Sequence, residues 1–490
     1  MPPVKKRDDN WIDGLRGVAS FVVVTGHLLT AFLPVLHSPS PGSDKGPMLF
    51  QLPILRLCVG GRPAVAVFFL VTGFVNSMGP MKHFANGNTT VALPNLARSA
   101  FMRSARLVLP TNAAALVAWV ICQLGGFNLA RVVESDWIRG VANPPGPTLW
   151  EAIKGLCWNM TLFWNNGVGS YDPTHWAVVF FLKGSMRIYL TLLATSMVKT
   201  RWRVLIILAL HSFCWWTGDC MLLPMSFSIK VSKLTAFFFF FSADITGINI
   251  YAGMLLAQVH TIFGPRATNL LPKHLPTVLI VLGFLVSSYP QYNEDWIQWS
   301  RFMKKTLLPV LPQSAQVEIN RYWVSVGVCI LATGIFTSRG ARSVLTSPLF
   351  NFLGRVSFAV YLLHDTLLRT VLVWMVYGPN VSRTDLTVVD SNGQPVNHVQ
   401  PAGGLAFAIA IPVFYAILYA VAHVWTKYVD AWCANAVVRL RDAAFQRDDG
   451  GSGSGPMEPL VGASVVEKQQ LKDEGPVLPL TNGAPASSGL

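Results

Sequence analysis

The stretch Gly17–Leu36, GVASFVVVTGHLLTAFLPVL, runs for twenty residues without an Asp, Glu, Lys or Arg. A helix crossing the bilayer core needs about 20 mostly apolar residues, so this run predicts a transmembrane helix. It keeps Thr25 and His27 inside and lacks a small-residue cleavage site, which argues against a removable signal peptide. Comparable runs follow at Pro63–Gly79, Leu107–Gly126, His175–Val198, Val204–Gly218, Leu234–Val259, Leu275–Tyr289, Tyr322–Ser338, Phe358–Gly378 and Ala402–Trp425. The pattern predicts an all-α polytopic membrane protein of about ten transmembrane helices, the fifth and seventh runs being short.

Composition supports this reading. Only 13% of the 490 residues are charged and 52% are hydrophobic, whereas a soluble domain carries about 25% charged residues. Too little polar surface remains to cover a water-soluble globule of this size. The net charge of +14 does not indicate nucleic acid, because the cations sit in small groups between apolar runs instead of on one face. Seven cysteines without a C-x-x-C pair argue against a zinc site or a dense disulfide scaffold. No nucleophile elbow, P-loop, H-E-x-x-H motif or close carboxylate cluster is present, so hydrolase, ATPase and metal chemistry lose their usual support and no metal is expected.

Lys and Arg near the span ends favour a cytoplasmic amino terminus, with both termini on that side. Lys5, Lys6, Arg7 and Arg16 begin it; Arg98, Arg103, Arg106, Arg201, Arg203, Arg339, Arg342 and Arg439 continue it. The expected organisation is a cytoplasmic segment at 1–16, a transmembrane domain at 17–426 and a juxtamembrane segment at 427–447. A disordered Gly/Ser/Pro-rich tail follows at 448–490. Three N-x-S/T sequons occur, at Asn88, Asn159 and Asn380. Asn159 and Asn380 fall in expected lumenal loops and are the candidate glycosylation sites; Asn88 falls on the other side.

Ionisable residues inside spans are costly and mark functional positions. Arg16 and His27 are eleven positions apart, about 1100° of rotation and roughly 16 Å of rise. Both therefore lie on one face of the first helix, Arg16 at the interface and His27 about three turns deeper. That spacing suits a ligand with an anionic end at the water surface and a reactive end inside. Arg103 and Arg106 at i, i+3 also point to one side, and a guanidinium fork matches phosphate. Lys183 and Arg187 share a face at i, i+4 in the fourth run, where two cations must line a cavity or meet an acid such as Asp244. Tyr361 and His364 stand at i, i+3, beside an Asp365–Arg369 pair. Arg62 opens the second span and is a substrate-binding candidate. His175, at a span end, is a weaker candidate, and His211 and His423 read as structural.

Trp11-Ile12-Asp13-Gly14-Leu15-Arg16-Gly17-Val18-Ala19, followed by His27 in R-x10-H spacing, resembles the opening of the acyltransferase-3 family of integral membrane acyltransferases. Phe68-Phe69-Leu70-Val71-Thr72-Gly73-Phe74 is similar to its second-span block, and Arg103-Ser104-Ala105-Arg106 to its R-x-x-R motif. Lys183-Gly184-Ser185, Gly253-Met254-Leu255-Leu256 and Leu353-Gly354-Arg355-Val356-Ser357 through Tyr361-Leu362-Leu363-His364 resemble later blocks. The wording is closest to fungal members, many from secondary-metabolite pathways. One departure stands out: where the family pattern W-T-x-P-x-E places an acid, this chain has Phe181, and Asp244 is a possible substitute.

The resemblance implies an enzyme, an acyl-CoA-dependent O-acyltransferase in an endomembrane such as the endoplasmic reticulum. It would move an acyl group, most simply acetyl, to a hydroxyl of a lipophilic small molecule. Acyl-CoA, most simply acetyl-CoA, is then a cosubstrate and no cofactor is permanently bound. Arg16, Arg103 and Arg106 would hold the coenzyme A phosphates. His27 would act as general base, with Arg16, His364 and Asp244 as further catalytic candidates, and Arg62, Lys183, Arg187 and Tyr361 would contact substrate. A transporter of a metabolite or acyl compound, or a catalytically altered binding protein, are the competing readings.

Overall fold

Glycine decides how closely the helices of this protein approach one another. A computed structural model describes residues 11–167, 169, 171–217, 245–311, 319–381, 387–389 and 395–445. The candidate Asp244, the residues 1–10 and the expected tail 448–490 lie outside them. The elements in chain order are α1 (Trp11–Phe32), α2 (Gly61–Ala85), α3 (Thr89–Gln123), α4 (Asp136–Val141), α5 (Leu149–Asn166), α6 (Trp176–Ala194), α7 (Thr200–Thr217) and α8 (Ile245–Phe263). They continue with α9 (Leu275–Ser287), α10 (Gln298–Leu307), α11 (Ile319–Thr337), α12 (Arg339–Leu345), α13 (Pro348–Leu367), α14 (Val373–Tyr377), α15 (Gly404–Trp425) and α16 (Ala431–Ala444). A short antiparallel ribbon of β1 (Thr387–Val389) and β2 (Pro395–Asn397) is the one sheet among the described residues.

Each of the ten apolar runs falls on a helix, although part of the sixth lies outside the described residues. Seven helical stretches among the described residues are long and apolar enough to cross a membrane: Trp11–Phe32, Gly61–Ala85, Thr89–Gln123, Pro173–Ala194, Ile319–Thr337, Pro348–Asn380 and Gly404–Ala444. The other three runs map to α7, α8 and α9; α9 has only 13 residues. The architecture is all-α and polytopic, with seven spans supported by length and composition where the hydropathy pattern gave about ten.

α1 and α13 pack in parallel through small residues. A Cβ added to Gly17 would lie 2.6 Å from the Gly354 nitrogen, and one on Gly354 would lie 2.1 Å from the Asp13 carbonyl oxygen. No side chain fits at that separation, so the backbones touch. α2 and α8 cross in the antiparallel sense by the same means: a Cβ on Gly73 would meet the Ile250 oxygen at 2.0 Å, and one on Gly253 the Leu70 oxygen at 2.0 Å. In a lipid environment, small residues permit this close packing where hydrophobicity supplies no drive between helices.

The bundle has two ends. The proximal end carries the start of α1 and the residues around Arg16; the distal end carries the end of α1. Between α3 and α6, where hydropathy predicts only a loop, α4 and α5 fold across the distal end. Their capping signals are local. The Ser135 hydroxyl accepts from the Ile138 nitrogen to cap α4, and Thr148 accepts from the Glu151 nitrogen at 3.2 Å to cap α5. Thr148 and Glu151 stand in the S/T-x-x-E pattern of a helix start. The Trp119 indole donates to the Ala152 oxygen at 3.0 Å, fixing α5 against α3.

A buried histidine pair and an arginine cluster joined by one helix

The α1–α13 contact determines the centre of the site. His27 and His364 each follow their contact glycine by ten residues, about 15 Å along parallel helices. Their rings consequently meet, with centroids 5.1 Å apart. His364 is 0% exposed, and its Nδ1 lies 2.8 Å from the Tyr361 oxygen and 3.2 Å from the Val360 oxygen. A carbonyl oxygen only accepts, so Nδ1 carries the proton and a neutral His364 keeps its lone pair on Nε2. That Nε2 and the Nδ1 of His27 are buried with no hydrogen-bond partner among the described residues.

Trp137 of α4 lies against the other side of His27 at 5.5 Å. α4 is pinned there because the Ser135 hydroxyl donates to the Ala31 oxygen at 2.6 Å in the last turn of α1. This free helix-end carbonyl is one of those that a helix leaves without an internal partner. The short helix thus seals the distal side of the histidine pair.

Behind His364 lies an ion network with almost no solvent exposure. Asp172 accepts from the Thr174 nitrogen at 3.1 Å, the Thr174 hydroxyl at 2.6 Å and the Thr366 hydroxyl at 3.0 Å. It also stands 3.5 Å from His175 Nε2 and 4.0 Å from Arg369. Arg369 pairs with Asp365 at 2.9 Å and donates to the Val141 and Tyr171 oxygens, each at 2.7 Å, with Phe127 4.3 Å from its guanidinium. Arg369 sits in a π-helical turn at Leu368–Leu372, a backbone irregularity that concentrates at functional positions. Asp172 is close enough to act electrostatically on both His27 and His364.

At the proximal end the side chains are looser. Arg16 is half-buried and pairs with Asp13 at 3.3 Å. Arg103 and Arg106 are half-buried on α3; Arg103 Nε donates to the Ser185 hydroxyl at 3.3 Å, and Arg106 Nε has no partner. The charges of Arg16 and Arg103 act on one another, as do those of Arg103, Arg106 and Arg441 of α16. The face expected from R-x10-H and R-x-x-R is therefore one cationic cluster, to which the juxtamembrane segment adds an arginine.

The other sequence candidates are distributed as follows. Tyr361 is buried and its hydroxyl donates to the Thr174 oxygen, which makes it a brace for Asp172 instead of a free substrate contact. Lys183 lies 5.4 Å from the Phe180 ring, and Arg187 is buried against Cys214 and Gly247, away from the histidine pair. Arg62 donates to Asn320 Oδ1 at the distal rim. Asn159 is 6% exposed, and the Asn380 amide donates to the Gln400 and Pro401 oxygens, each at 3.1 Å; a glycan at either would have to displace these surroundings. Phe181 is buried among Phe68, Phe69 and Tyr361.

Sequence reasoning passed over Asp172 because it lies just before an apolar run, in Tyr171-Asp172-Pro173-Thr174-His175. The signal was the D-P-T turn, in which an Asp side chain caps the following backbone. Among the described residues no group of His, Cys, Asp and Glu is arranged to hold a metal ion.

A family profile described as an acyltransferase domain matches residues 9–423. The chain is 24% identical over 472 residues to O-acetyltransferase PaAT-1 of Phomopsis amygdali, covering 89% of this chain and 84% of that protein. It is 24% identical over 408 residues to acyltransferase R4 of a Phoma species and 26% identical over 403 residues to acyltransferase clz18 of Cochliobolus lunatus. Both matches cover 72% of this chain and 81% of the relative. No solved structure matches.

Proposed function

Since this chain belongs to the acyltransferase-3 family of integral membrane acyltransferases, we propose that it transfers an acyl group, most simply acetyl, from acyl-CoA to a hydroxyl of a lipophilic small molecule, such as a fungal secondary metabolite. The observation that carries this reading is the span of α1, which joins an arginine cluster at Arg16 to the buried pair His27–His364. A phosphate-rich donor with its reactive thioester at the far end of a flexible arm matches both ends of that helix.

Coenzyme A phosphates dock from the cytoplasm on Arg16, Arg103 and Arg106, with Arg441 adding to the field. The thioester reaches along α1 toward His27. His27 accepts the proton of the acceptor hydroxyl as its oxygen attacks the thioester carbonyl. The tetrahedral intermediate collapses, the carbon–sulfur bond breaks, and the departing thiolate takes that proton from His27. An ester and free coenzyme A result. His364, held by backbone carbonyls as the Nδ1–H tautomer, offers its Nε2 lone pair beside His27 and orients it. Asp172 supplies the negative charge that favours the transient imidazolium, the service expected of the acid that Phe181 replaces. The thioester is already activated, so nucleotide hydrolysis is not part of the scheme. Both termini are assigned to the cytoplasm of an endomembrane.

Membranes containing the protein, supplied with labelled acetyl-CoA and a panel of hydroxylated lipophilic acceptors, test this reading. Label recovered in a covalent ester is the expected result. Label taken up without a covalent product would mark a transporter, and binding with neither would mark a silent receptor.

A further inference from the structure

A second polar site lies at the distal rim, outside the histidine pair. A cleft of about 410 Å³ is lined by His37, Arg56, Arg62, Tyr289 and Asn320 among other residues, with no Asp or Glu in its wall. Arg56 is 6% exposed. Its Nη2 donates to the His37 oxygen at 2.9 Å, while its Nη1 is buried without a partner. The Tyr289 hydroxyl is likewise buried without a partner. A buried guanidinium nitrogen left unsatisfied is costly, and an anionic acceptor is the group that offsets it best.

The cleft is a built feature. Leading into it, Ile54 adopts φ 70° and ψ −54°, and the Leu55 nitrogen bonds the Pro53 oxygen at 2.9 Å across it. This is the rare γ-turn conformation, strained for a β-branched residue. It is held by the Ile54 nitrogen donating to the Ser288 hydroxyl at 2.8 Å, and by the Gln51 amide donating to the Val35 and Ser38 oxygens at 2.9 and 3.2 Å.

The charge balance favours an anion. Burial, then the charges of Arg56 and Arg62, push His37 down to about 4, so it is neutral near pH 7 and the cleft carries two guanidinium charges. Glu294 and Asp295 act on Tyr289, but both are tied to Lys304, at 3.0 and 2.6 Å. Burial together with these carboxylates holds the Tyr289 hydroxyl above its ordinary range, which keeps it a donor. His37 Nε2 is 2.9 Å from the Thr30 hydroxyl, one helical turn beyond His27. The cleft therefore adjoins the reactive histidine.

We propose that this cleft binds a carboxylate of the acceptor, Arg56 Nη1 and the Tyr289 hydroxyl donating to its oxygens beside Arg62, so that the acceptor is a lipophilic hydroxy acid. This rests on the acyl-transfer reading and adds to it the polarity of the acceptor. The probes are 12-hydroxystearic acid and its methyl ester, which differ only in the carboxylate charge. Binding to the full-length protein is measured in nanodiscs of neutral phosphatidylcholine with no acyl donor present. The acid should bind at least about tenfold tighter than the ester, the worth of one charge-assisted hydrogen bond. Arg56→Gln should remove the preference, Tyr289→Phe should reduce it, and Arg56→Lys should keep part of it.

Equal affinities in the wild type, or a preference unchanged in Arg56→Gln, overturn the proposal. If Arg56→Gln does not fold, the lysine and phenylalanine variants give the same answer. A preference abolished by adding phosphatidylserine to the discs would assign the cleft to a lipid headgroup and overturn the acceptor assignment. Acid preference without transfer of labelled acetyl would leave the cleft standing and remove the enzyme reading. Transfer that proceeds without acid preference would do the reverse.

Discussion

The two ends of α1 hold charge in opposite ways. Around Asp172 and His364, five ionisable side chains are buried, and almost every donor and acceptor is committed to a named partner. Around Arg16 the arginines are half-exposed, mutually repulsive, and tied by single contacts to Asp13 and Ser185. A reacting pair must be held in one geometry before substrate arrives, so the deep end is over-determined. A site for a mobile polyanion gains by leaving donors unsatisfied, so the shallow end is not. The same chemical vocabulary thus serves preorganisation at one end and capture at the other.

The sharpest way to break this contrast is at His27. His27→Ala should lower kcat/KM for acyl transfer by about 10²–10⁴, the worth of a general base, with an unchanged melting temperature in detergent. Transfer that survives the substitution would move the base elsewhere. Next comes Asp172→Ala, which should act on the fold as well as on the rate. Removing one partner from a buried ion network costs roughly 3–5 kcal/mol, read as a large drop in melting temperature. An unaltered melt would show that the deep network is not the rigid support described here.

A smaller and different effect is expected at the shallow end. Arg103→Gln and Arg106→Gln should each raise KM for acyl-CoA about tenfold, with kcat and stability retained, because a phosphate contact is worth about 1.5–3 kcal/mol at most. Raising salt should reproduce part of this in the wild type through screening. If kcat falls instead, the arginines do more than dock the donor. The mildest prediction concerns pH. His37 is held at about 4 when folded, against an ordinary value near 6.5. Its neutral form therefore adds stability that is complete above about pH 6.5 and is lost as pH falls toward 4. The melting temperature should fall over that window, and His37→Asn should flatten the decline.

Much of this was legible in the sequence, for reasons that differ by region. The spans follow from apolar length alone, and Arg16 and His27 share a face because helical rotation is fixed. Their match to R-x10-H anticipated one wall of the site. His364 required knowing that α13 packs beside α1 in parallel, which depends on contact between Gly17 and Gly354 and is invisible to hydropathy. Asp172 was hidden by its place outside any span, and Tyr361 was misjudged because a tyrosine three residues before a histidine does not reveal where its hydroxyl points. The distal helices α4 and α5 were read as loop because neither is apolar enough to register, although the Thr148–Glu151 cap was there to be read. Arg62 was marked without its deeper neighbour Arg56, which sits in a segment with no periodicity at all.

The glycine contact between α1 and α13 also limits what evolution can change. An added methyl at position 17 would fall 2.6 Å from backbone, and at position 354 only 2.1 Å, so the spacing of these two helices is a fixed dimension of the molecule. Relatives that accept bulkier or slimmer partners cannot obtain room by spreading this seam. Diversification must instead occur in the rim segments and in the helices facing it, while the histidines stay where their glycines put them. Libraries aimed at new acceptors should leave positions 14, 17 and 354 untouched and vary residues 33–60 and 288–297.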